Sequence, residues 1–206
     1  MERDLSAVTV FCGASSGGHP RYAEATRRFG RELAARDLDL VYGGAGTGLM
    51  GLLADTVLEH GGEVIGVIPE GLVRHEVAHP GLTELHVVDG MHRRKALMAQ
   101  LGDAFVAMPG GLGTAEEFFE TLTWMQLGLH DKPIGLLNVA GYFDLLLAWL
   151  EQVRAEGFVR QVFLDHLVVA TEPAPLLDGF PGRRAPANLF LQRRLQPAVD
   201  GSVLLP

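Results

Sequence analysis

Two glycine-rich runs, a basic helix start and one glutamate are the parts of this 206-residue sequence that could do chemistry. Residues 109–117 read PGGLGTAEE. Three glycines let the backbone approach a ligand closely and adopt positive φ. The helix expected from residue 115 presents unpaired N–H groups at its start, which favour a phosphate. Thr114 is a good N-cap and Glu117 stands three residues later, so one reading of Glu117 is half of a capping box. The other is chemical, and both can coexist, because a capping glutamate at a helix start also faces the ligand crevice. Upstream, residues 91–95 read MHRRK and open the helix before the strand that delivers the glycines. Basic residues on a helix are usually a solvated face, but here some could point toward the same crevice. If Arg94 meets Glu117, the guanidinium lowers the carboxylate's pKa and keeps it ionised. An ionised carboxylate beside a sugar anomeric carbon stabilises an oxocarbenium-like transition state or activates water.

The other glycine run spans residues 43–51, GGAGTGLMG, and contains G-x-G-x-x-G at Gly46, Gly48 and Gly51 with Glu70 about 20 residues on. Three readings are open: a tight strand-to-helix turn, a nucleotide-contacting loop of some other kind, and a dinucleotide fingerprint. Against the last, the run follows the second strand, whereas the fingerprint follows the first strand of its unit, and residues 109–117 compete for the same crevice. Residues 13–18, GASSGG, end the first strand. Ser15 and Ser16 either donate hydrogen bonds to a phosphate or sugar, or are ordinary loop residues. His75-Glu76-Val77-Ala78-His79 matches the zinc pattern H-E-x-x-H. Pro80 disfavours helical geometry at His79, and Leu82 and Leu85 occupy the places of the extended motif's glycine and third histidine. A pocket-edge loop is the better reading, and no metal is expected.

These residues need elements to hold them. Short apolar runs at 7–12, 38–42, 63–68, 85–88, 104–108, 134–137 and 167–170 read as strands. Helix-period segments at 22–36 (with Pro20 near its start), 49–60, 91–101, 115–127 and 142–156 alternate with them. Strands apolar throughout are buried on both faces, and their alternation with helices implies a parallel sheet covered on both sides. The expected fold is α/β: a single-domain, Rossmann-like, doubly wound parallel sheet whose ligands sit beyond the carboxyl ends of the strands. From Pro181 the pattern fails. We therefore expect a catalytic domain over 1–180 and a C-terminal tail over 181–206, flexible or docked on a partner subunit.

Composition narrows the classes. The net charge of −8 offers no basic footprint for nucleic acid. Cys12 is the only cysteine, so no internal disulfide is possible and a reducing compartment fits. Residues 1–6 lack the pattern of a signal peptide, and no apolar run reaches the ~18 residues of a membrane span. A cytoplasmic protein is expected.

MHRRK and PGGLGTAEE together complete the motifs MHxRK and PGGxGTxxE, and in this the sequence resembles the LOG ("lonely guy") family of cytokinin riboside 5′-monophosphate phosphoribohydrolases. The resemblance runs over about residues 8–158 and includes FCGASSG, YGGAGTGLMG, GVIP, EVAH, TWMQLGLHDKPIGLLN and GYFDLLL. It implies a Rossmann-like homodimer that hydrolyses the N-glycosidic bond of N6-substituted adenosine 5′-monophosphates, such as isopentenyl-AMP, and of AMP. It implies Arg94 and Glu117 as the catalytic pair. Gly111, Leu112, Gly113, Thr114, Ala115 and Glu116 would wrap the nucleotide, with Arg94 and Lys95 beside it and Glu76 and Thr123 in contact. Ser15, Gly44 and Gly110, from the glycine runs, complete the expected substrate set. No cofactor is implied. Leu112 stands where Tyr is commoner and Gly90 where Asp is frequent; neither touches the catalytic pair. Members were long labelled lysine decarboxylases. This chain has two lysines, Lys95 and Lys132, and a pyridoxal phosphate enzyme needs one as its Schiff base. Lys95 lies in the nucleotide motif and Lys132 in a loop before Pro133. A nucleotide or molybdenum-cofactor carrier without turnover is the main alternative, and an NAD(P)-dependent oxidoreductase is the weaker one.

Overall fold

The computed structural model describes residues 5–73 and 78–185. All seven strands expected from the sequence are present: β1 (Ala7–Phe11), β2 (Asp39–Tyr42), β3 (Val64–Pro69), β4 (Glu84–Val88), β5 (Ala104–Ala107), β6 (Ile134–Leu137) and β7 (Leu167–Ala170). They pair in parallel in the order β4-β3-β2-β1-β5-β6-β7. The helices are α1 (Pro20–Ala35), α2 (Gly48–Glu59), α3 (Met91–Leu101), α4 (Leu112–Leu127), α5 (Asp144–Ala155), α6 (Gln161–Leu164) and α7 (Pro173–Asp178). Pro20 takes the first position of α1, where its missing N–H has no partner to lose.

Strand alternation splits the core into two layers. On one face Val8, Val10, Leu40 and Val106 pack with Phe29 and Leu33 of α1, Leu53 and Val57 of α2 and Leu176 of α7. On the other, Phe11, Val41 and Phe105 pack with Met98 of α3, Phe118 and Leu122 of α4, Leu150 of α5 and Phe163 of α6. The chain winds outward from β1 through β4, then returns to β5 beside β1. The order therefore reverses between β1 and β5, where adjacent loops diverge to opposite faces and leave a crevice.

Three expectations on the elements need correction. Helix α4 begins at Leu112, three residues before the expected start, because Gly111 in extended geometry is its N-cap. A 3-10 turn at Val139–Gly141 precedes α5, which begins at Asp144 and not at residue 142. The short helices α6 and α7 were not foreseen; with 4 and 6 residues they are too short to show periodicity. Of the tail, residues 181–185 are described and lie against the body. The Arg183 guanidinium donates to the Asp165 carbonyl and the Ala185 amide to that of Asp131. Among the described residues no helix is long and apolar enough to cross a membrane.

Candidate active site

A cavity of about 420 Å³ opens at the β1/β5 crevice, within the size range of small-molecule sites. The cavity between Leu5, Lys132 and Phe180 at the other end of the sheet is about 60 Å³, too small for a nucleotide. The large cavity draws on seven segments: the loop after β1 (Cys12 to Ser15, and Gly17), Tyr22 of α1, the start of α2 (Leu49, Met50), Leu72 after β3, Met91 and Arg94 of α3, the loop after β5 with the first turns of α4, and Tyr142 after β6.

Arg94 is buried, 6% exposed. A buried charge needs partners, and Arg94 has backbone ones: Nε donates to the Val67 carbonyl at 3.1 Å and Nη2 to that of Gly43 at 3.1 Å. The ends of β2 and β3 thus hold the guanidinium at the cavity wall. Gly43 makes this possible, since a Cβ there would lie 2.0 Å from Nη2.

Glu117 lines the same cavity. The capping box expected from Thr114 and Glu117 is not formed. The helix opens one turn earlier, with Gly111 as N-cap, no side-chain cap, and the Ala115 amide bonded to the Gly111 carbonyl. Thr114 is therefore a buried residue of the first turn, and Glu117 falls in the second, where it carries no cap. Its carboxylate reaches the cavity floor electrostatically. Burial first, and the Glu117 charge second, push the Cys12 thiol far above its usual range, so Cys12 stays a neutral wall.

The two glycine-to-helix turns differ in where their amides go. At α2, the amides of Leu49 and Met50 both donate to the Gly13 carbonyl, at 3.0 and 3.2 Å. Gly48 has φ +61°, and a Cβ on it would meet the Ala14 carbonyl at 2.3 Å. The first glycine run is thus a tight turn packed on the β1 loop, and the donors that would face a pyrophosphate in a dinucleotide site are already used. At α4, no acceptor among the described residues takes the amides of Leu112, Gly113 or Thr114. Gly111, Gly113 and Thr114 line the cavity, so this helix start presents open donors and the positive end of its dipole.

The structure brings Arg94, Glu117, Ser15, Gly110, Gly111, Gly113, Thr114 and Glu116 to one cavity. Of the other expected residues, those that are described stand off its lining. Leu112 is 91% exposed, Thr123 is exposed, Ala115 is half-buried and Gly44 is buried, accepting from the His79 amide. Lys95 Nζ bridges Glu116 at 2.6 Å and Glu120 at 2.9 Å, tying α3 to α4. Burial pulls its pKa down, but the hydrogen bonds to Glu116 and Glu120 outweigh that and leave it raised. Glu76 lies outside the described residues, as does His75. His79 Nε2 meets Asp55, and among the described residues no cluster could hold a metal ion. Tyr22, Met50, Leu72, Met91 and Tyr142 line the cavity without having been anticipated. For Tyr142 a signal existed, since it follows the carboxyl end of a strand next to the crevice, and Met50 and Met91 stand inside the quoted motifs; for Tyr22 and Leu72 the sequence offers none.

A family model described as "Possible lysine decarboxylase" matches residues 50–180. The chain is 54% identical over 167 residues to the cytokinin riboside 5′-monophosphate phosphoribohydrolase of Rhodococcoides fascians, covering 81% of this chain and 84% of that one. It is 45% identical over 174 residues to one from Arabidopsis thaliana, covering 84% and 81%. Among solved structures, the molybdenum cofactor carrier protein of Chlamydomonas reinhardtii superposes with a TM-score of 0.64 at 20% identity, over 84% of this chain and 94% of that one. At that identity the likeness is one of fold.

Proposed function

Since the chain belongs to the family of these phosphoribohydrolases, whose model carries the decarboxylase description, we propose that it hydrolyses the N-glycosidic bond of N6-substituted adenosine 5′-monophosphates, and of AMP, to free base and ribose 5-phosphate. The observation that carries this is the meeting of a buried Arg94, a cavity-lining Glu117 and the open amides of α4 at one crevice. In this reading the amides and dipole of α4 hold the 5′-phosphate. As the bond between the anomeric carbon and the base nitrogen breaks, the sugar gains oxocarbenium character, which the Glu117 carboxylate stabilises. Water adds to the anomeric carbon; one of its protons leaves by way of Glu117 and the departing base gains one. Arg94, held by two carbonyls, orients substrate.

Decarboxylation of lysine fits poorly. Lys95 is engaged by two carboxylates, and Lys132 Nζ donates to the carbonyls of Ala99 and Gly102. A Schiff base needs a neutral, accessible amine.

We further read the protein as a cytoplasmic homodimer that binds no nucleic acid, with residues 1–180 as the catalytic domain and 181–206 as a tail. Supporting self-association, Leu112, Leu145 and Trp149 expose apolar surface along α4 and α5. The net charge of −8 speaks against a polyanion partner.

The test is incubation with AMP and isopentenyl-AMP, without added metal or NAD, and chromatography for free base and ribose 5-phosphate. Release of base is expected from both. Nucleotide that binds but survives intact would sink hydrolysis and leave a carrier.

A further inference from the structure

Resting on the nucleotide reading of the cavity, we propose that Tyr142 is a positioning residue for the 5′-phosphate. Its hydroxyl donates to the Gly110 carbonyl, and its ring forms part of the cavity wall. The peptide that follows, from Gly110 to Gly111, leads into α4. A peptide is planar, so a fixed carbonyl fixes the amide of the next residue in the opposite direction. With glycine on both sides, little else stops that peptide from turning over. Turned over, it would set a carbonyl where the helix start offers amides, and a carbonyl repels an anion. Tyr142 holds the orientation that keeps the first turn of α4 a donor set.

Tyr142 is itself held firmly. It follows a 3-10 turn in which Ala140 has φ +50°, a rare value for a residue with a Cβ. Buried Asn138 clasps this turn: its Nδ2 donates to Asp144 Oδ1 at 2.7 Å and its Oδ1 accepts the Phe143 amide at 2.7 Å. The Tyr142 ring meets Tyr22 edge-on at 5.6 Å, and Tyr22 packs against the loop after β1 at Gly17. A continuous strap therefore runs from the β1 loop through two tyrosines to the β5 loop. Strained backbone maintained by such contacts marks a place where position matters.

Tyr142→Phe tests this, since it keeps the ring and removes only the hydroxyl. The variant is expected to raise KM for AMP about tenfold, the order one hydrogen bond supplies, with kcat within about twofold of the parent. Its calorimetric affinity for ribose 5-phosphate should fall by the same factor, while its affinity for adenosine, which lacks the phosphate, and its melting temperature hold. Unchanged KM and unchanged ribose 5-phosphate affinity would overturn the proposal, and so would a parallel loss of adenosine affinity. Absence of turnover in the parent protein would instead defeat the phosphoribohydrolase reading, and the ribose 5-phosphate titration would still decide the role of Tyr142.

Discussion

The glycine runs at 43–51 and 109–117 look alike in sequence, each joining a strand to a helix, yet they do opposite things. The first is closed. Its helix amides bond the Gly13 carbonyl, Gly48 lies against the backbone at Ala14, and Gly43 makes room for Arg94. The second is open, with Gly111, Gly113 and Thr114 facing a cavity of about 420 Å³. The glycines are equally permissive in both. What differs is what lies across from each turn: a neighbouring loop in one case, space in the other. One run builds the wall that places the guanidinium and the other builds the binding surface.

The sharpest way to break that comparison is at Glu117. Glu117→Gln keeps the side chain's size and removes its charge, and should lower kcat by about 10² to 10⁴-fold, the range of a lost acid–base or charge-stabilising group, in a protein that still folds. Chromatographic turnover with a parallel thermal melt checks this; near-parental turnover would remove Glu117 from the chemistry. Next is Gly43→Ala. The added methyl would stand 2.0 Å from Arg94 Nη2, so the guanidinium must move. We expect about a 10²-fold loss of kcat/KM, the effect of displacing a catalytic group by about 1 Å, in a protein that still folds. Full activity in that variant would show that Arg94 need not sit where Gly43 lets it sit.

How much of this was legible beforehand follows from where the information lies. The sheet was readable because its strands are apolar throughout, and every expected strand is present. The pairing of Arg94 and Glu117 at one site was reachable because both motifs precede or follow β5, and β5 adjoins the switch in strand order. The start of α4 was missed because Thr114 is the better N-cap by residue type, whereas the backbone turns at Gly111, a choice set by the loop's path over the crevice. That error made Glu117 look half structural. The closed state of the first glycine run was illegible for a different reason: its amides end on Gly13, some 36 residues away in sequence, and spacing within a motif says nothing about a distant carbonyl. Tyr142's place after a strand beside the crevice is readable, but its contacts are not, as Gly110 and Tyr22 come from two other segments.

Two smaller tests sharpen the contrast. Gly48→Ala puts a side chain at φ +61° against the Ala14 carbonyl. It should cost about 2 kcal/mol or more of stability, read by urea unfolding, while the folded fraction keeps its KM for AMP. A large rise in KM without a stability loss would mean that the first run touches nucleotide after all.

The smallest expected effect is at Lys95. Its ammonium spans Glu116 and Glu120; the Glu116 pair is screened by solvent, since that carboxylate is 53% exposed, while Glu120 is 22% exposed and its pair is screened less. Lys95→Met should cost about 1 kcal/mol, most of it from the Glu120 pair. If Lys95 acts solely as the tie between α3 and α4, KM for AMP should rise less than about threefold, because α4 is also held to the core by Phe118, Leu122 and Met125. A rise of about tenfold or more, at unchanged melting temperature, would instead mean that the ammonium leaves Glu116 for the substrate phosphate. The donor set of the second glycine run would then include a side chain as well as the backbone amides of α4.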